Sequence, residues 1–96
     1  MAKITIGFQI LPYVAEDRLY EVVDKVISYI ASKGIRYEVG ATETTMEGEF
    51  DELMDIVKKS LEICTEQGAS RVISLVKIDY KKTGVTIEEK VGKYRK

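Results

Sequence analysis

The feature that most restricts this chain is a hydrophobic period that changes four times along its length. Ile4, Ile6, Phe8 and Ile10 recur at every second residue, with Lys3, Thr5, Gly7 and Gln9 between them, which is the spacing of a strand with one buried face. Pro12 has no N–H to give a ladder and ends that strand. From Glu16 to Lys33 the repeat lengthens to that of a helix, with Leu19, Val22, Val23, Val26, Ile27 and Ile30 on one stripe and Gly34 at the position of a C-terminal cap. Ile35 to Val39 alternates again. Gly40-Ala41 turns the chain, and Thr42 to Met46 is β-branched enough to return as the second arm of a hairpin.

A second helix is predicted over Glu49 to Gln67, where Phe50, Leu53, Met54, Val57, Leu61 and Cys64 share a stripe, Asp51 and Glu52 sit at the positive end of the dipole, and Gly68 closes it. Arg71 to Tyr80 is a last long strand. Thr86-Ile87-Glu88-Glu89 has the form of a capping box, so a short final helix follows over about residues 87–94. The order is βαββαβ plus a C-terminal helix. Two right-handed βαβ units interleave into a four-stranded antiparallel sheet with both long helices on one face, an α+β ferredoxin-like sandwich. Strands one and three are then central, which brings Gln9 and Thr44 onto neighbouring strands.

Ninety-six residues suit a single domain over 1–96. The sequence has no His, which removes the commonest general base, the His-dependent nucleophile pairs and the usual zinc ligands. Its one Cys, Cys64, lies on the core stripe of a helix, has no partner for an internal disulfide and suits a reducing compartment. The N-terminus alternates instead of forming a signal-peptide core, and no apolar run approaches the ~20 residues of a membrane span. A cytoplasmic protein that neither enters membranes nor binds nucleic acid is expected, the net charge being −1. That charge is uneven. Residues 81–96 carry six basic and two acidic side chains, a +4 segment beside a body of −5, and are expected to pack as a basic clasp.

The face left uncovered by the two helices is where function is sought. Its first strand offers Thr5, Gly7 and Gln9. The last strand is apolar on both parities, Val72, Val76 and Ile78 on one and Ile73 and Leu75 on the other, the pattern of a strand covered on both sides. Self-association through the sheet is expected. Ile56 and Ile63 lie beside the second helix's main stripe and call for further cover, from the C-terminal helix or from another subunit. The densest polar cluster is Thr42-Glu43-Thr44-Thr45-Met46-Glu47-Gly48-Glu49, at a strand end and a helix start; strand propensity and capping also account for it. Tyr13 and Tyr37 could supply a stacking face or could be amphipathic surface residues. Glu43, Glu47 and Glu49 suggest an oxygen-rich cation site, and surface solvation explains them as well.

Tyr37-Glu38-Val39, then Thr44-Thr45-Met46-Glu47-Gly48-Glu49-Phe50-Asp51-Glu52-Leu53-Met54, then Gly68-Ala69-Ser70-Arg71-Val72 and Lys77-Ile78-Asp79, with Glu89-Lys90-Val91 near the end, resemble the YkoF-like thiamine-binding protein family. The resemblance runs almost end to end. It implies a ferredoxin-like domain, with no cofactor of its own, that binds thiamine or its hydroxymethylpyrimidine half without turning it over and assembles through its sheet as a homodimer or a dimer of dimers, commonly a tetramer. Thr44, Glu47 and Gly48 match the family segment directly, and Gln9 corresponds to the polar end of its first strand. Two departures stand out: Pro12-Tyr13-Val14-Ala15 replaces a Pro-Gly turn followed by Ser, and Glu43 stands where the family often has Gly. The expected ligand-binding residues are Gln9, Thr44, Glu47, Gly48, Tyr13 and Tyr37. An oligomeric regulatory or scaffold module without a ligand is the competing expectation. Acylphosphatases share the fold but need a loop Arg and an Asn; Leu11 to Glu16 holds no Arg, and the chain has no Asn.

Overall fold

In the computed structural model, which describes residues 2–95, Ile4–Pro12 forms β1 and Leu19–Ala31 forms α1 after a 3-10 turn at Glu16–Arg18. Arg36–Val39 (β2), Thr44–Gly48 (β3), Phe50–Glu66 (α2), Val72–Asp79 (β4) and Ile87–Val91 (α3) follow, with a second 3-10 turn at Gly92–Tyr94. The sheet is antiparallel with order β2-β3-β1-β4, so the ferredoxin-like α+β arrangement is present and β1 and β3 are its central pair. Strand β3 lies two residues later than the composition of Thr42–Met46 suggests, because Gly40 N–H donates to Glu43 O and the turn takes up Ala41–Glu43.

Alternation along β1 divides the molecule into two layers. Ile4, Ile6 and Phe8 face α1 and α2 and enter one core with Val22, Val26, Ile30, Met46, Leu53, Ile56, Val57 and Cys64. Burial pushes the Cys64 thiol up, away from the reactive thiolate, which fits a packing role. Both long helices end as a left-handed glycine would end them, Gly34 at φ +74° and Gly68 at φ +100°. Arg18 Nη1 donates to Gln67 O at 2.8 Å and ties the start of α1 to the end of α2.

The clasp lies on the opposite face. Val85 N–H donates to Lys3 O, and Val85 and Ile87 are buried. Thr86 caps α3 by accepting from Glu89 N–H, as the capping-box spacing predicts. This position corrects the C-terminal helix as cover for Ile56 and Ile63. Ile56, on α2, is sealed in the core, and Ile63 borders the groove between α1 and α2 together with Tyr29. Ile56 thus finds its cover within the chain, and Ile63 packs partly buried against the same core.

Candidate functional site

Two concavities flank the central strands. The first exists because the strands part: the pairing of β1 with β3 ends at Phe8↔Thr44, whereas β1 continues to Pro12 against β4 alone. Alongside the unpaired stretch, between α1 and the turn joining β2 to β3, opens a groove of about 400 Å³. Phe8, Ile10, Val23, Ile27 and Val39 wall it, and Gln9, Thr44, Thr42, Asp24 and Tyr20 bring polar groups to it. An apolar slot with a few placed polar groups is the usual form of a small-molecule site.

The second concavity, about 330 Å³, lies between the open sheet face and the clasp. Its lining is charged, and each charge has a counter-ion within the chain. Lys77 Nζ meets Glu43 at 3.1 Å, Lys90 pairs with Asp79, and Arg95 Nη2 meets Glu38 at 2.8 Å. Lys90 Nζ also donates to Thr5 Oγ1 at 3.1 Å, and Ile87 N–H donates to Glu47 Oε1 at 2.8 Å. These polar contacts tie the clasp to the sheet on either side of the cleft.

The hydrogen bond from Arg95 holds the Glu38 carboxyl below the ordinary glutamate range, and the positive charges of Arg95 and Arg36 add to the effect. With the folded pKa below the unfolded one, Glu38 supports docking of the clasp above the unfolded value, and that support is lost as pH falls through the lower folded value. The Arg95 Nε–H resonance, followed by NMR, is expected to titrate with a midpoint below the ordinary glutamate value. A midpoint at or above that value would mean that the pair does not form in solution.

The six residues expected to bind ligand are not gathered in one place. Gln9 and Thr44 line the groove together, Thr44 with only 8% of its surface exposed. Glu47 anchors α3 instead. Gly48 is buried where an added Cβ would stand 3.2 Å from Leu53 Cδ2, so it serves strand–helix contact. Tyr37 packs against the core from β2, and Tyr13 lies beneath the Arg71 guanidinium, 5.6 Å from its ring centre. The groove recruits Tyr20, Val23 and Asp24 from α1, which sequence alone presents as core stripe and solvated face. Their spacing of three and four residues was the available signal. Among the described residues no group of three or more Asp, Glu, Cys or His gathers as a metal site, and no helix is long and apolar enough to cross a membrane.

The sequence profile of thiamine-binding proteins matches residues 6–95. The chain belongs to the thiamine-binding protein family. A UPF0045 protein of Clostridium perfringens (strain 13 / Type A) is 66% identical over 95 residues, which is 99% of this chain and 100% of that protein. Among solved structures, a DUF77 domain from Bacillus cereus superposes with a TM-score of 0.92 at 48% identity, covering 98% of this chain and 91% of that one. A candidate thiamine biosynthesis/salvage protein from Thermotoga maritima superposes with a TM-score of 0.89 at 49% identity, covering 97% of this chain and 99% of that one. Membership of the thiamine-binding family points to binding rather than turnover.

Proposed function

We propose that this protein is a non-catalytic cytoplasmic binder of thiamine or hydroxymethylpyrimidine, that it holds the flat ring in the groove between α1, β1 and β3, and that it assembles through its open sheet face. The observation that carries this is the meeting of Gln9 and Thr44 in one apolar groove of a chain that belongs to the thiamine-binding family. An aminopyrimidine presents donors and ring-nitrogen acceptors on an otherwise apolar disc. The inward Thr44 hydroxyl answers the first requirement, with the Gln9 amide at the unpaired edge of β1 beside it, and the walls formed by Phe8, Val23 and Ile27 answer the second.

Calorimetry with both ligands is the direct test. Saturable heat is expected for each, and no heat together with no thermal shift at millimolar ligand would sink the proposal. Thr44→Val keeps the side chain's shape and removes the hydroxyl, so it is expected to weaken binding by about ten-fold while leaving the fold intact. Unchanged affinity in that variant would take Thr44 out of the site. The competing reading, a ligand-free oligomeric module, draws on the exposed apolar side chains of Ile73 and Leu75 on the open face. It predicts that Thr44→Val changes no binding because there is none.

A further inference from the structure

Gln9 and Glu43 stand one residue beyond the last pair of β1 with β3. By strand alternation both side chains belong to the open face, on the parity of Gly7 and Thr45. Yet both residues line the groove on the helix side. Both therefore stand at the gap where β3 stops pairing and β1 runs on, the place where the groove and the open face come nearest. Glu43 borders the groove and the polar cleft alike.

The carboxylate of Glu43 has a prepared seat. A Cβ on Gly7 would lie 2.8 Å from Glu43 Oε2, so the glycine is what lets the acid rest across β1. Gly40 N–H holds the Glu43 carbonyl at 2.8 Å and fixes the backbone of the turn. Lys77 is a less secure partner. It contacts Glu43 at 3.1 Å, but its side chain is 75% exposed against 31% for the acid, and a solvated lysine in such a pair is readily replaced. The other two cations of the cleft are engaged elsewhere, Lys90 with Asp79 and Arg95 with Glu38. The charged residues bordering the groove are Asp24 and, at the gap, Glu43, with no Lys or Arg among its described lining residues.

We infer that Glu43 sets the charge preference of this site: a ligand whose flat ring occupies the groove and whose positively charged group reaches the gap takes the place of Lys77 on the Glu43 carboxylate. The inference rests on the groove being the ligand site. A neutral ligand leaves the Lys77–Glu43 pair as it is. An anion meets Asp24 beside the groove and the Glu43 carboxylate at the gap. The preferred class is thus a flat heterocycle bearing a permanent cation, and the discrimination resides in one carboxylate seated by one glycine.

Thiamine and hydroxymethylpyrimidine separate the two parts of this argument, because they share the pyrimidine and only thiamine carries a thiazolium. Both are titrated calorimetrically into the wild type, Glu43→Gln and Lys77→Met, at a pH where the pyrimidine ring is uncharged. Glu43→Gln is expected to weaken thiamine by about ten-fold and to leave hydroxymethylpyrimidine within about two-fold. Lys77→Met frees the carboxylate and is expected to tighten thiamine alone, a gain of function that a misfolded variant would not produce. Equal losses for both ligands in Glu43→Gln, no loss for either, or a preference carried wholly by Asp24→Asn would overturn the assignment. Absence of binding to the wild type would instead remove the groove as the site, and the inference would fall with it.

Discussion

Ile6→Ala is expected to lower the unfolding free energy by about 2–5 kcal/mol, seen as a fall in the urea midpoint with little change in slope. Ile6 has no exposed surface and lies on the central strand between Met46 of β3 and Ile78 of β4. Truncation there removes three methyl-sized groups from a site closed on both sides by strands and above by helices, so collapse into the void is restricted. Domains of this size are stable by roughly 5–15 kcal/mol, and the lower end of that range would be exhausted. Ile6→Val, which removes one methyl group, should cost only about 0.5–1.5 kcal/mol. A loss below about 1 kcal/mol for the alanine variant would contradict the position of β1 at the centre of the core.

The alternation that makes Ile6 so costly to change is also what made the fold legible. Ile4, Ile6 and Phe8 each point where a period of two sends them, and the stripe of Val22, Val26 and Ile30 on α1 meets them. Thr5 is different. Its polar character and parity assign it to an open face, yet only 3% of its surface is exposed, because the clasp crosses over it and Lys90 bonds its hydroxyl. The capping box at Thr86 announces a helix but carries no record of which layer that helix joins. That choice is set by contacts more than eighty residues apart.

The site was legible in part for the same reason. Residues 42–49 read as one polar cluster along the chain, but a strand deals successive side chains to opposite faces. Thr44, Met46 and Gly48 go inward, while Glu43, Thr45 and Glu47 go to the open face. Gln9 and Thr44 still border one groove because β3 stops pairing where β1 does not, and a pairing limit of that kind depends on the turn at Gly40. Tyr20 and Asp24 join them only once α1 is packed at its observed angle across the sheet. Sequence supplied both groups of residues and the neighbouring strands. The gap between those strands is a property of the tertiary structure.

Leu75→Lys is expected to convert an assembled protein into monomers. Leu11, Ile73 and Leu75 are 39%, 37% and 51% exposed on the open face, where Leu11 pairs with Ile73 and Gln9 with Leu75 across β1 and β4. The clasp shields the opposite end of these strands, at Thr5 and Asp79, and leaves this end bare. An apolar stretch beside the free edge of β4 is suited to a second copy of the same surface, because a two-fold contact matches apolar to apolar without a new partner. A lysine at its centre would have to bury an unpaired ammonium, at a cost of several kcal/mol in the assembly and almost none in the free chain, where position 75 is solvated. Sedimentation should therefore show monomer mass for the variant, with a melting temperature lowered only by what assembly contributed. An unchanged oligomer would place the interface elsewhere, and a wild type that sediments as a monomer would leave the sheet face to another partner. Coupling to the ligand site is the more informative readout. The groove opens beside Gln9, the cross-strand neighbour of Leu75, so a partner seated on this face would narrow the gap that Glu43 occupies. Thiamine affinity in Leu75→Lys should then fall together with assembly, at ligand concentrations where Thr44→Val still assembles and binds only weakly.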